Sequence, residues 1–427
     1  MGSLKVSQIC FEGLKLAGFF MICVMTAGYA LVANRLSSTI LTAPMIFLGL
    51  GVAFSTSGLI PPEFAETLLH PVAEVALVVL LFLDAAKTDF AALRRRFVWP
   101  VRMLVIGLPL AMVFGVFAGA IFMPNWSIVA VALAAAILAP TDAALGQAVV
   151  SNEAVPIRPR RALTVESGLN DGLALPAVLF FAALLAASET QDSTDWIVFG
   201  AKQILLGPVV GVLVGSVGGW ALLRAKSANT TAEIYEGIGA LALAGTAYLG
   251  AVLIGGNGFI SAFVAGLAFG LIIKGACKFV YEFTESEGQL LTWSAFFLLG
   301  AALVPDAITH LTLPMLGLIL VSLFVVRPLA IWISLIGTDA QPVTKLFFGW
   351  FGPRGLATAL FALLVVENLP HDLGEDILHL AINTVWISAV LHGITAAPGA
   401  RWYARKVKDM APHADTNHTI SPSKETS

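Results

Sequence analysis

Residues 163–176, LTVESGLNDGLALP, put two carboxylates, Glu166 and Asp171, inside a run of apolar and small residues. At about 100° per residue a helix places these two side chains about 140° apart, so they serve different neighbours. What surrounds the stretch decides what kind of helix it is. Of 427 residues, 58% are hydrophobic and only 12% are charged, against roughly a quarter charged in soluble domains. The mean hydropathy is +0.88. Runs such as VRMLVIGLPLAMVFGVFAGAIF (101–122) and LPMLGLILVSLFVVRPLAIWI (313–333) reach the ~20 apolar residues that cross a bilayer core. They are continuously apolar rather than alternating, which argues for a helical bundle and against an outer-membrane barrel. Cys10, Cys23 and Cys277 have no metal-binding or disulfide spacing.

The pattern predicts an all-α polytopic membrane protein of thirteen spans: 13–33, 39–60, 69–86, 100–122, 127–149, 161–187, 197–223, 235–254, 258–274, 288–303, 312–336, 347–366 and 376–398. A cleaved signal peptide competes for residues 1–33, but the apolar stretch there is longer than a usual signal core. With the N-terminus outside and the C-terminus cytoplasmic, nineteen basic residues lie inside and three, Lys5, Lys15 and Lys202, outside. Residues 1–411 then form one transmembrane unit in the cell (inner) membrane, and 412–427 a short disordered cytoplasmic tail. No length remains for a soluble nucleotide-binding domain.

The last two basic residues, Arg327 and Arg354, fall within spans. Arg354 lies in FFGWFGPRGLATALFA (347–362), among Gly349, Gly352, Pro353 and Gly355. A second interrupted span, AAAILAPTDAALGQ (134–147), has Thr141 and Asp142 directly after Pro140. Proline and glycine free backbone groups that survive at membrane depth only against protein or a cavity. Two interrupted spans in corresponding halves point to an inverted-repeat transporter with two crossed discontinuous helices. The 212-residue offset from Asp142 to Arg354 also carries Asp171 onto Asn383, another polar residue in the span after a break. Half-helix N-termini are partly positive and C-termini partly negative, so Asp142 can balance the former and Arg354 the latter.

Ser167, Asn170 and Asp171 share one arc of the helix and offer hard oxygen ligands suited to a small alkali cation. Glu166, off that arc, needs a partner of its own, since an unpaired charge in a span costs several kcal/mol. Arg327, near mid-span, is the first candidate, and Arg354 competes. Glu74, in the third span, is either a further ion-binding group or a plain interfacial glutamate. Asp171 has no evident permanent basic partner. In a poorly hydrated cavity such a carboxylate holds a proton or a cation, and that competition is the chemistry of an exchanger.

The segments APTDAALGQAVV, ESGLNDG, GNGFISAFVAGLAFG, FTESEGQLLTWSAFFLLGA, FFGWFGPRGLATAL and LHGIT together resemble the monovalent cation:proton antiporter family. The closest likeness is to its electroneutral sodium/proton exchanger branch, with an Asn-Asp pair in the sixth helix. The resemblance implies thirteen helices, a homodimer, and elevator-like motion of a core domain (about 69–187 and 288–398) against a dimerisation domain (about 13–60 and 197–274). It implies exchange of Na+ (or Li+/K+) for H+, with no cofactor, no nucleic acid and no enzymatic activity. Asp171 would be the essential ion- and proton-binding carboxylate, with Thr141 and Ser167 completing the Na+ shell and Asp142 beside them. Asn170 would replace a second aspartate, Glu166 and Arg327 would form a core salt bridge, and Glu74 would match an acidic residue of the third helix. One departure is TDAA, where many members read TDP followed by a small residue.

Three other readings compete. A passive cation channel usually has rings of charge on a symmetric pore. An intramembrane hydrolase using Ser167 and His392 lacks a nucleophile-elbow pattern. An organic-anion symporter would set its substrate against Asp171.

Overall fold

The computed structural model describes residues 20–33, 35–36, 41–88, 98–189, 193–274, 276 and 278–408. The start of the first predicted span, Cys10, Cys277, the basic residues Arg94, Arg95 and Arg96, and the tail from 412 lie outside them. The described chain is helical throughout: α1 (Phe20–Ala33), α2 (Ala43–Thr56), α3 (Pro62–Ala86), α4 (Val98–Phe122), α5 (Ile128–Leu138), α6 (Ala143–Val150), α7 (Ile157–Glu189), α8 (Ser193–Ser227) and α9 (Glu233–Leu253). There follow α10 (Gly258–Ile273), α11 (Lys278–Ala302), α12 (Val304–Thr309), α13 (Leu313–Ser334), α14 (Pro342–Trp350), α15 (Leu356–Val366) and α16 (His371–Lys408). Seven of these, α3, α4, α7, α8, α9, α13 and α16, are long and apolar enough to cross a membrane. Each predicted span falls on one helix or, at 127–149 and 347–366, on a helix pair divided by a break.

Local chemistry sets the helix starts. Ser127, Asn257 and Thr312 accept hydrogen bonds from the amides of Ala130, Ile260 and Met315, so each satisfies an orphan donor of the first turn. Proline opens α3 and α14, where its missing N–H costs nothing. The ends differ from hydropathy more than the starts do. The last span was expected to stop at 398, yet α16 continues to Lys408. Beyond the apolar stretch, Tyr403 stacks on Phe347 of α14 at 4.0 Å between ring centroids and bonds Thr344 Oγ1 at 2.9 Å. Packing, rather than lipid, carries the helix past its apolar limit.

Two features had no counterpart in the sequence reading. α4 contains a π-helical turn at Met103–Gly107 and α13 another at Ser322–Val326, the second ending directly before Arg327. Glycine also draws helices into direct backbone contact, as membrane packing favours. A methyl group on Gly211 or Gly215 of α8 would strike the Ser261 or Ala265 carbonyl of α10. On Gly266 or Gly270 of α10 it would strike the Phe82 or Ala86 carbonyl of α3. Gly51 of α2 and Gly300 of α11 meet each other's helices in the same way. These seams join α3 to α10 and α11 to α2, across the core-and-scaffold division expected from the sequence.

Candidate functional site

The site is built on the two breaks. Between α5 and α6, residues 139–142 leave the helix, and between α14 and α15, residues 351–355 do so. The breaks are laced to each other. The Asp142 amide donates to the Pro353 carbonyl at 2.8 Å. The Asp142 carboxylate accepts from the Leu145 amide at 3.3 Å and the Leu356 amide at 2.7 Å, so it caps the start of α6 and of α15. Arg354, fully buried, donates through Nη1 to the Pro140 carbonyl at 2.8 Å and to the Ala139 carbonyl. One anion thus serves two helix starts, and one cation serves the carbonyls where α5 ends. Gly355 has to be glycine because a Cβ there would occupy the space of the Asp142 carboxylate.

The second break is closed from α16. The Arg354 amide donates to Ser388 Oγ at 2.7 Å, and Ser388 Oγ lies 3.1 Å from His392 Nδ1. His392 Nε2 lies 2.9 Å from the Trp350 carbonyl. Nδ1 also lies 2.9 Å from the Ser388 carbonyl, so each ring nitrogen faces a backbone acceptor. Ser388 and His392 therefore bridge both sides of the break. The sequence alone marks no role for Ser388 and offers His392 only as the base of the hydrolase alternative.

α7 carries the remaining groups. Glu166 and Arg327, 2% and 4% exposed, form a two-pronged pair: Nη1 to Oε1 and Nη2 to Oε2, both at 3.1 Å. Gly352 leaves room for that guanidinium, which a Cβ would strike. Arg354, the competing partner for Glu166, is instead committed to the carbonyls of the first break. Thr141, from that break, inserts its hydroxyl beside α7. It accepts from Asn170 Nδ2 at 2.6 Å and lies 3.3 Å from Ser167 Oγ and 3.4 Å from Glu166 Oε2.

This differs from the expected grouping, in which Glu166 stood apart from Ser167, Asn170 and Asp171. Glu166 and Asn170 are four residues apart and so stack on one face, and Thr141 ties them and Ser167 into one buried knot. Asp171 is the residue set apart. It is half-buried with one carboxylate oxygen, Oδ1, enclosed and without a hydrogen-bond partner. It lines a cavity of about 480 Å³ together with Asp142 and Asp84. Asp84, on α3, packs against Gly168 of α7, where a Cβ would lie 3.3 Å from the Asp84 Cβ. The sequence reading missed Asp84. Its signal was a lone aspartate in VVLLFLDAA, masked by the neighbouring Lys87 at the span's end.

Glu74 does not join them. It is exposed, bonded to the Tyr248 hydroxyl of α9, and absent from the cavity wall. Ten residues of helix separate it from Asp84, about 15 Å along α3. Its role as an ion-binding group has no support in this arrangement.

The sodium/hydrogen exchanger, transmembrane family matches residues 21–402. The K(+)/H(+) antiporter NhaP2 of Shewanella sp. (strain ANA-3) is 25% identical over 392 residues, which cover 90% of this chain and 66% of that protein. The K(+)/H(+) antiporter NhaP of Alkalimonas amylolytica is 26% identical over the same shares. This chain therefore spans just under two thirds of the length of both. The Na(+)/H(+) antiporter 1 of Methanocaldococcus jannaschii is 26% identical over 311 residues, 65% of this chain and 71% of that one. The solved structure of the sodium proton antiporter MjNhaP1 from that organism, at pH 8, superposes with a TM-score of 0.77 at 21% identity, covering 92% of this chain and 99% of the other. With nearly the whole described bundle inside the family match, this chain belongs to the sodium/hydrogen exchanger transmembrane family.

Proposed function

We propose that this protein is a secondary antiporter that exchanges one alkali cation (Na+, Li+ or K+) for one proton by alternating access. Cation and proton compete for Asp171. The observation that carries this is the Asp171 carboxylate on the wall of the cavity, one oxygen enclosed and unbonded. Asp142 is held by two helix starts, Glu166 by Arg327, and Asn170 by Thr141. Asp171 is left to change its occupant. A single exchanging carboxylate whose loaded forms both carry no net charge makes the cycle electroneutral.

The two interrupted helices cross at the laced breaks, and the 212-residue offset between them reflects an inverted repeat. In this reading the protein has thirteen transmembrane helices, an external N-terminus, a cytoplasmic C-terminus and a dimeric assembly. Lys87 and the residues after α6 line the cavity mouth. The positive-inside rule assigns that side to the cytoplasm. The glycine seams favour a scaffold of α1–α3 and α8–α11 and a moving group of α4–α7 and α12–α16. The cavity then lies between the groups, with Asp84 and Thr292 on one wall and Asp142 and Asp171 on the other. Sliding one wall past the other would carry Asp171 across a barrier without opening a continuous pore, unlike a channel.

Purified protein in proteoliposomes, loaded with a pH-sensitive dye and challenged with Na+, Li+ and K+ in turn, tests the proposal. At least one cation should drive proton movement against a pH gradient, at a rate insensitive to an imposed voltage. Cation flow that dissipates its gradient without moving protons would instead identify a channel.

A further inference from the structure

Far from Asp171, a second cluster of ligating side chains gathers where α11 gives way to α12 and α13. It sits about 21 Å along α11 from the cavity-lining Gly288, at the opposite end of the bundle. His379 Nε2, on α16, lies 2.9 Å from one oxygen of Asp306, on α12, and His310 Nδ1 lies 3.4 Å from the other. One ligand atom from each of the three residues lies within 4.8 Å of the others.

The geometry points to a binding site for a zinc-like divalent transition-metal ion formed by Asp306, His310 and His379. Two imidazoles and one carboxylate are the donor set of such ions rather than of alkali or alkaline-earth cations, so the site is chemically distinct from the transport route. Two of its ligands are already held in place. Asn383, one turn after His379 on α16, donates to the Ala307 carbonyl at 2.6 Å and thereby fixes α12 beside α16. The third is adjustable. The His310 ring stacks on His379 at 4.5 Å with an interplanar angle of 1°, and its side chain is 55% exposed. Tetrahedral zinc sets its ligand atoms about 3.4 Å apart, so the cluster closes on an ion once the exposed His310 ring turns out of the stack. The exposed Asp306 leaves the fourth position open to water. A bound ion would staple the connection into α13, the helix that carries Arg327, to α16. This inference stands independently of the antiport reading, because its test reads binding rather than transport.

The probe is Zn2+ itself, titrated calorimetrically into the purified protein in detergent. The wild type should bind one ion at this site and gain thermal stability from it. His310→Ala, His379→Ala and Asp306→Asn should each weaken that binding at least ~10-fold, since loss of even an outer-shell partner costs that much. His371→Ala is the control: His371 pairs with Glu375 on the first turns of α16, outside the cluster, and its removal should leave the affinity unchanged. His413 and His418 of the tail are present in every variant and cancel. His310 is exposed, so its variant carries the test even if the buried His379→Ala fails to fold. Absence of saturable Zn2+ binding in the wild type, or equal affinity in His310→Ala, overturns the site.

Discussion

Breaking the Glu166–Arg327 pair should damage the protein's stability far more than any change at Asp171, five residues along the same helix. Both partners are nearly excluded from solvent, at 2% and 4% exposure, and are joined by two bonds of 3.1 Å. The Glu166→Gln variant leaves a guanidinium buried without its counter-charge, and Arg327→Met leaves a carboxylate in the same state. Orphaning one member of a buried ion pair costs about 3–5 kcal/mol. That is roughly a hundred- to several-thousand-fold in the folding equilibrium. Combining Glu166→Gln with Arg327→Met removes both charges, and replacing a buried pair with neutral side chains of similar size is often close to neutral. The double variant should therefore recover most of what either single change loses, with a coupling of about 2 kcal/mol or more in a double-mutant cycle. The assay is the temperature at which detergent-solubilised protein loses its monodisperse elution peak, with membrane yield as a second readout. Glu166→Gln melting like the wild type, or a double variant as impaired as the sum of the singles, would refute the assignment.

Gly355→Ala should strongly reduce both yield and transport, because its methyl would displace the Asp142 carboxylate from the start of α15. Gly245→Ala in α9, where nothing lies within 4 Å of the added carbon, should be neutral or slightly stabilising. At the other end of α13, Asp339 bonds Arg158 at 2.7 Å and the Trp99 indole N–H at 2.7 Å. Partial burial pushes its carboxyl up, but the Arg158 guanidinium and the Trp99 donor outweigh that and hold it below the usual carboxylate range. A depressed folded value means the contribution is present above the unfolded value, near pH ~4, and is lost as pH falls through the folded one. Asp339→Asn should thus lower the melting temperature slightly at neutral pH. The difference should vanish in strong acid. The Asp339 side chain is nearly half exposed, so the effect is at most ~1 kcal/mol.

Much of this was legible in the sequence because the bilayer simplifies the problem. Continuous apolar runs announce helices, and a charge inside one has few possible partners. Arg327 was the basic residue nearest mid-span, and Glu166 the carboxylate turned away from the oxygen-bearing arc. Pro140 and the Gly-Pro cluster around Arg354 marked the breaks from local backbone chemistry alone. What stayed hidden depended on three dimensions. The helical wheel describes one helix, so it could not show Thr141 arriving from a break to bind Asn170, Ser167 and Glu166 together. Asp84 resembled a boundary residue until α3 was seen against Gly168. Glu74 looked like a candidate ligand until Tyr248 was found against it. The glycine seams show in the sequence as the LLGPVVGVLVG spacing of 205–215, but which helix a glycine face meets is a tertiary fact. Hydropathy also misjudged the end of α16, where Tyr403 packs on Phe347 beyond the apolar stretch.

The most direct measurement is cation-driven proton flux in proteoliposomes by Asp171→Asn beside the wild type, with thermal stability measured on the same preparations. Asparagine keeps the size of the side chain and removes the charge that binds cation or proton. Because Asp171 Oδ1 has no partner to lose, the variant should remain folded, with stability equal to or above the wild type. Its flux should fall to the level of protein-free vesicles for Na+, Li+ and K+ alike. Cation-coupled proton flux clearly above that level would contradict the assignment of the exchange to Asp171.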